Sequence, residues 1–259
     1  MNNSPIGIFD SGIGGLSILK EINRVLPNEN TVYLADNKNC PYGNKDISDI
    51  IKLSLKNASV LIKMNCKIIV VACNTATTNA IKEIRNSFSV PVIGIEPAIK
   101  PAILNTKTNK IGVLATEMTL TSNLFNQTSN KFSDNIEIIE QIGFGLVNLI
   151  EKGDINTENT KQLLKSYIDP MLDSNIDQLV LGCTHYHFLI PIIRQIIPEK
   201  ITIQDPNKAI AKQIKKILKI ENLENILKRN CENKVYANGD TEVINTIINS
   251  NGEVNSLDF

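Results

Sequence analysis

The chain has 259 residues, 42% of them hydrophobic, enough to bury the core of one large domain or two small ones. Lys plus Arg number 27 and Asp plus Glu number 27, and this net charge of zero argues against broad phosphate-driven binding of nucleic acid. Met1-Asn2-Asn3-Ser4-Pro5 carries no basic segment and no apolar stretch follows, so neither a secretory leader nor a membrane span is expected.

Short β-branched runs alternate with longer amphipathic stretches. Strands are predicted at residues 6–9, 32–35, 68–72, 92–95, 111–114, 136–139, 179–181 and 201–203, with one more short strand and turn at 235–240. They read as continuous apolar runs, as strands covered on both faces do. The clearest helix is 47–64, where Ile50, Ile51, Leu55, Ala58, Leu61 and Ile62 recur at helical spacing. A second, 157–172, aligns Leu163, Leu164, Tyr167, Ile168 and Met171, and a third, 209–218, aligns Ile210, Ile214 and Ile217. This alternation predicts parallel sheets covered by helices. Pro97 and Pro101 follow the fourth strand and Pro206 follows the eighth, which suggests two units: 1–97 with 207–259, and 98–206.

Ligands of open parallel sheets bind beyond the carboxyl ends of the strands, and four segments place polar residues there. Phe9-Asp10-Ser11-Gly12-Ile13-Gly14-Gly15 lacks the third glycine of a dinucleotide loop, and Asp10 would repel a pyrophosphate. What remains is a turn that is either purely structural or brings N–H groups, Asp10 and Ser11 to a small ligand. Ala35-Asp36-Asn37-Lys38-Asn39-Cys40-Pro41-Tyr42-Gly43 is a long polar loop in which Cys40 is expected to be incidental. In the other two segments an apolar run ends in a cysteine, Cys73 before Asn74-Thr75 and Cys183 before Thr184-His185. A lone cysteine after a strand is usually a small buried hydrophobe. Two at matching offsets, each where a strand hands over to a helix N-terminus that stabilises a thiolate, point to chemistry.

Five irregularly spaced cysteines do not make a disulfide framework, and the expectation is a reduced cytoplasmic chain. Cys183, His185 and His187 form a C-x-H-x-H run, but ligand pairs at known zinc spacings are missing, so no metal site is expected. The remaining option is a pair of acid–base groups. A thiol titrates close enough to neutrality to serve, and two thiols facing one carbon could take a proton from one side and return one from the other. Asp10 would tune one, His185 and Glu151 the other, leaving His187 a structural role.

The set GIFDSGIGGLS, CPYG, VVACNTATTNAI, VIGIEPAIKPA, IGVLAT and LVLGCTHY, in this order from Ile6 to about Asp240, closely resembles the bacterial glutamate racemases. That family belongs to the cofactor-independent aspartate/glutamate racemase superfamily. The resemblance implies two pseudo-symmetric α/β domains with the site between them and the final segment returning to the first. It implies Cys73 and Cys183 as the catalytic thiols, with Asp10, Glu151 and His185 as auxiliary acid–base residues. Asp10-Ser11, Tyr42-Gly43, Asn74-Thr75 and Thr184-His185 match the family's substrate-contacting pairs, and Thr116 and Thr119 a further polar pair. It further implies a cytoplasmic homodimer that needs no cofactor and supplies D-glutamate for peptidoglycan. Two positions depart from the family's pattern: Ile142-Gly143 stand where Cys-Pro is frequent, and His187 where proline is common. Three other readings share features with this one: an aspartate racemase, with the same two cysteines; a one-cysteine decarboxylase relative, disfavoured by the presence of both Cys73 and Cys183; and a non-catalytic two-lobed amino-acid-binding protein.

Overall fold

The structure, a computed structural model, describes residues 3–132, 135–225, 231–248 and 254–259. Its first stretch comprises β1 (Ile6–Asp10), α1 (Leu16–Val25), β2 (Thr31–Ala35), α2 (Ile47–Lys63), β3 (Ile68–Val71), α3 (Asn74–Ser87) and β4 (Val92–Gly94). Then follow α4 (Ile99–Asn105), β5 (Lys110–Ala115), α5 (Glu117–Leu120), α6 (Asn123–Phe132), β6 (Glu137–Ile142), α7 (Leu146–Glu151), α8 (Glu158–Asp173), β7 (Gln178–Gly182), α9 (Ile190–Ile196) and β8 (Thr202–Gln204). The chain ends with α10 (Asn207–Ile220), β9 (Asn233–Ala237), α11 (Glu242–Ile248) and β10 (Val254–Ser256).

Among the described residues the strands form two parallel sheets, in the orders β10-β9-β2-β1-β3-β4 and β6-β5-β7-β8. The fold is α/β, and its strand cores are apolar because helices cover both faces. β1, β2, β3 and β7 are buried along their whole length. Each fully buried Ile or Leu side chain stabilises by roughly 1.5–3 kcal/mol relative to exposure. α2 turns Ile50, Ser54, Asn57, Ala58 and Leu61 inward, and α10 turns Asn207, Ala211, Ile214 and Leu218 inward against α1. Thr157 caps α8 by accepting the Thr160 N–H at 3.2 Å, so the helix predicted at 157–172 begins one residue later.

The two sheets repeat one arrangement. In the first, β1 lies between β2 and β3; in the second, β5 lies between β6 and β7. In each sheet the chain steps from this strand to one neighbour and then crosses to the strand on its other side, so the switch points lie at the carboxyl ends of β1 and β3 and of β5 and β7. Asp10 closes β1 and Cys73 follows β3; Thr116 follows β5 and Cys183 follows β7. After β8 the chain returns to the first sheet, where β9 pairs with β2. A buried ion pair between Lys67 and Glu29 secures that return: Glu29 Oε1 accepts the Asn225 N–H at 2.7 Å, and Lys67 donates to the Leu223 carbonyl at 2.8 Å.

Candidate active site

Cys73 occupies the N-cap of α3, where Ser, Thr, Asp or Asn usually stands, and its Sγ accepts the Ala76 N–H at 3.4 Å. Ser11 Oγ lies 3.7 Å from the same sulfur and 3.4 Å from Asp10 Oδ1, so Ser11 links the thiol to the acid. Asp10 is fully buried, and its carboxylate accepts the N–H of Ser11 at 2.7 Å and of Gly15 at 2.5 Å. Burial raises the Asp10 carboxyl above its ordinary range, against the lowering effect of the nearby His185 charge and of these two N–H groups. Burial also pushes the Cys73 thiol up, and the Asp10 charge adds to the rise; the Ala76 N–H and the Ser11 hydroxyl act in the opposite direction. Cys183 is close enough for its charge to raise Cys73 further.

Cys183 is held differently from the helix-capped thiol expected from the sequence. A 3-10 helix, Thr184–Leu189, follows it, and no N–H caps its side chain. A 3-10 turn has poorer hydrogen-bond geometry than an α-helix, and the partner here is instead a side chain: His185 Nδ1 lies 3.8 Å from Cys183 Sγ. On the far side of the ring, His185 Nε2 lies 2.6 Å from Glu151 Oε1, which also accepts the Ile13 N–H at 2.8 Å. Burial alone would favour neutral imidazole, but Cys183, Cys40 and Glu151 outweigh it and hold the His185 pKa well above its ordinary value. Burial acts to raise the Glu151 carboxyl, and His185 and Ile13 reverse this, leaving it below its ordinary value. The pair is therefore imidazolium and carboxylate near neutral pH.

Each thiol thus has a polar side chain and a carboxylate behind it, Ser11 and Asp10 on one side, His185 and Glu151 on the other. The two halves interlock. Thr184 Oγ1 donates to Asp10 Oδ2 at 3.2 Å, and Thr75 Oγ1 lies 2.9 Å from Thr116 Oγ1, which lies 2.9 Å from Thr119 Oγ1. These three buried hydroxyls join α3 of the first sheet to the β5–α5 turn of the second. The glycines make this approach possible. A Cβ on Gly14 would stand 2.6 Å from both His185 Nδ1 and Thr184 Oγ1, and one on Gly43 2.8 Å from Thr116 Cβ. Both thiols are almost wholly buried.

Asn74 donates to the Ile95 carbonyl at 3.1 Å, which fixes the first turn of α3. Tyr42 packs in the same buried cluster as Cys73, and its hydroxyl donates to Asp36 and accepts from Asn57 Nδ2 at 3.0 Å. Asp36, not singled out in the sequence, anchors this loop and is itself held by Asn39 and Asn238. Its signal was faint: one aspartate in a polar loop. Cys40 is not incidental in position. Its sulfur lies with the Glu151 carboxylate and the His185 ring, all within 4.8 Å of one another. His187 turns away, with Nδ1 3.2 Å from the Thr184 carbonyl and Nε2 3.2 Å from Asp205 Oδ1, so the C-x-H-x-H run does not converge. A space of about 20 Å³ at the rim is lined by Pro41, Gly43, Thr116, Ile142 and Gly143.

Comparison with known proteins places the chain in a family. The model of the Asp/Glu/hydantoin racemase family matches residues 6–214. The chain belongs to that family. It is 43% identical to the glutamate racemase of Ralstonia pickettii over 221 residues, 85% of this chain and 78% of that one. With the glutamate racemase of Clostridium perfringens it shares 39% over 248 residues, 95% and 92% of the two chains. Among solved family members, glutamate racemase isoform RacE1 of Bacillus anthracis superposes with a TM-score of 0.89 at 30% identity, covering 100% of this chain and 98% of that one. The Francisella tularensis glutamate racemase in complex with D-glutamate gives 0.85 at 32%, covering 99% and 97%. An aspartate racemase homologue of Pyrococcus horikoshii shares the fold at a TM-score of 0.52 and 15% identity.

Proposed function

We propose that this chain is a glutamate racemase that interconverts L- and D-glutamate with two thiols as its acid–base pair and no cofactor. The observation that supports the reading is the pair of strand-end cysteines, one from each sheet, both almost wholly buried and close enough that the charge of Cys183 acts on Cys73. One thiolate removes the α-proton and becomes a thiol; the electron pair stays on the α-carbon; the opposite thiol delivers its proton to the other face and becomes a thiolate. Atoms and charge balance, and the configuration inverts.

Burial keeps Cys73 protonated in the free enzyme, so its thiolate needs a cation beside it. The α-ammonium group of the amino acid supplies one as it binds. Asp10, through Ser11, and the His185–Glu151 pair accept or return protons behind the two sulfurs. Ser11, Asn74, Thr75, Thr116, Thr119, Thr184 and the Tyr42-Gly43 backbone hold the substrate, and donors around its α-carboxylate stabilise the carbanion in a crevice from which water is excluded. The catalytic set is Cys73, Cys183, Asp10, His185 and Glu151. Residues 1–97 with 207–259 form one lobe and 98–206 the other. No described helix is long and apolar enough to cross a membrane, and the reading includes a cytoplasmic homodimer that feeds D-glutamate to cell-wall synthesis.

An aspartate racemase would use the same thiols, but the relatives at 39–44% identity over most of the chain are named for glutamate. Chiral chromatography of the protein incubated separately with L-glutamate, D-glutamate, L-aspartate and D-aspartate tests this. Conversion of both glutamate enantiomers with little turnover of aspartate is expected; the opposite preference overturns the substrate, and no conversion of either overturns the activity.

A further inference from the structure

Cys40 takes no part in the two-thiol exchange, yet the fold delivers it to one end of the His185–Glu151 pair. Its Sγ, a Glu151 carboxylate oxygen and a His185 ring nitrogen all lie within 4.8 Å of one another. The three donors come from separate places: the loop after β2, the end of α7 and the 3-10 helix after β7. Among the described residues this is the one cluster of three such groups. One thiolate, one imidazole and one carboxylate make a borderline-soft donor set, suited to zinc and poorly suited to magnesium or calcium. Zinc–ligand bonds of about 2.0–2.3 Å place tetrahedral donors roughly 3.3–3.8 Å apart. The three donors are thus already gathered, and the 2.6 Å contact of His185 with Glu151 has to open by about 1 Å to admit the ion.

We propose that Cys40, Glu151 and His185 form an inhibitory site for a soft divalent cation, represented by zinc, with its fourth position open to water. The cation takes the place of the proton between His185 Nε2 and Glu151 Oε1. The His185 Nε2 proton and the Cys40 S–H proton both leave to solvent as the metal–nitrogen and metal–sulfur bonds form, and nothing is oxidised or reduced. Cys183 stays on the Nδ1 side of the ring, 3.8 Å away, and is not a ligand. Occupancy fixes the imidazole and cuts the proton route behind Cys183, so both directions of the reaction stop. Cation binding stands apart from the identity of the substrate; the inhibition rests on the role given to His185 above.

The test uses the full chain, freed of metal and thiol reagents, and cobalt(II) as the probe. Wild type, C40S and C73S are titrated and followed by absorbance, with thermal melts confirming that each variant is folded. Wild type should bind one equivalent with a thiolate-to-cobalt charge-transfer band that zinc displaces. C40S should lose the band and bind at least about tenfold more weakly, whereas C73S should match wild type. Zinc should suppress racemisation by wild type far more than by C40S. Absence of stoichiometric cobalt binding overturns the proposal. So does a band that survives in C40S, or one lost in C73S, which would place the metal on the reacting thiols.

Discussion

Thr184 Oγ1 donates to Asp10 Oδ2 across 3.2 Å, tying the strand end that carries one thiol to the acid that flanks the other. The two halves of the site are therefore mechanically and electrostatically coupled. Their separation is set by the glycine turn after β1 and the hydroxyls facing it.

Gly14→Ala tests that spacing. Its Cβ would stand 2.7 Å from the backbone nitrogen of His185 as well as against the His185 and Thr184 side chains, so the turn itself must shift. A cost of about 1–3 kcal/mol in stability is expected, with a loss of about 10²-fold in kcat/KM from misplacement of the thiols. Denaturant unfolding and steady-state kinetics measure the two. Wild-type activity in this variant would show that close apposition of the halves is dispensable.

Glu151→Gln tests the buried ion pair. The Glu151 carboxyl lies below its ordinary 4.5 in the fold, so its contribution is present above pH 4.5 and lost as pH falls through the lowered value. His185 lies well above its ordinary 6.5, so its contribution is complete below pH 6.5 and lost as pH rises through the raised value. The stability gap between wild type and Glu151→Gln should be largest from pH 4.5 to 6.5, at about 1–2 kcal/mol. A gap that does not vary with pH would mean that the pair carries no net charge interaction.

The five cysteines should separate by role. Cys73→Ser and Cys183→Ser each should lower racemisation by about 10²–10⁴-fold or more while remaining folded, because a hydroxyl is far less acidic than a thiol. Cys40→Ser and Cys231→Ser should stay active. Cys66 is buried beneath Gly7 and against Leu61, its thiol pushed up to about 12 by burial; serine there should cost about 1–3 kcal/mol for an unpaired hydroxyl and leave the chemistry intact. Kinetics and melts of the five variants sort them, and activity in Cys73→Ser or Cys183→Ser would remove that residue from the mechanism.

Much of this architecture was legible before folding. Parallel strands buried on both faces write themselves as apolar runs, so every strand predicted from 6–9 to 235–240 overlaps an observed one, with ends that differ by at most three residues. The helix predicted at 209–218 extends to Asn207–Ile220 because its polar ends carry no apolar rhythm. β10 was not legible: three residues at a sheet edge, Val254–Ser256, show no periodicity. Nor was the place of Cys40. It meets Glu151 and His185 only through tertiary packing between a loop of the first sheet and two elements beside the second, and no local spacing encodes that. The 3-10 turn after Cys183 was hidden for a related reason, since a helix N-terminus and a 3-10 turn share the same small polar residues.

The central claim is that two different thiols serve the two faces of one α-carbon. It is tested most directly by racemisation in heavy water, started separately from each glutamate enantiomer and stopped at low conversion. Mass spectrometry after chiral separation then reads deuterium at the α-carbon in product and in remaining substrate. Because thiols exchange with solvent in the free enzyme, the product should carry deuterium from either starting enantiomer. The remaining substrate should stay largely protonated, since the thiol that took its proton discharges after product leaves. Equal deuterium in remaining substrate and product from the earliest times would indicate one shared base and contradict the two-thiol account.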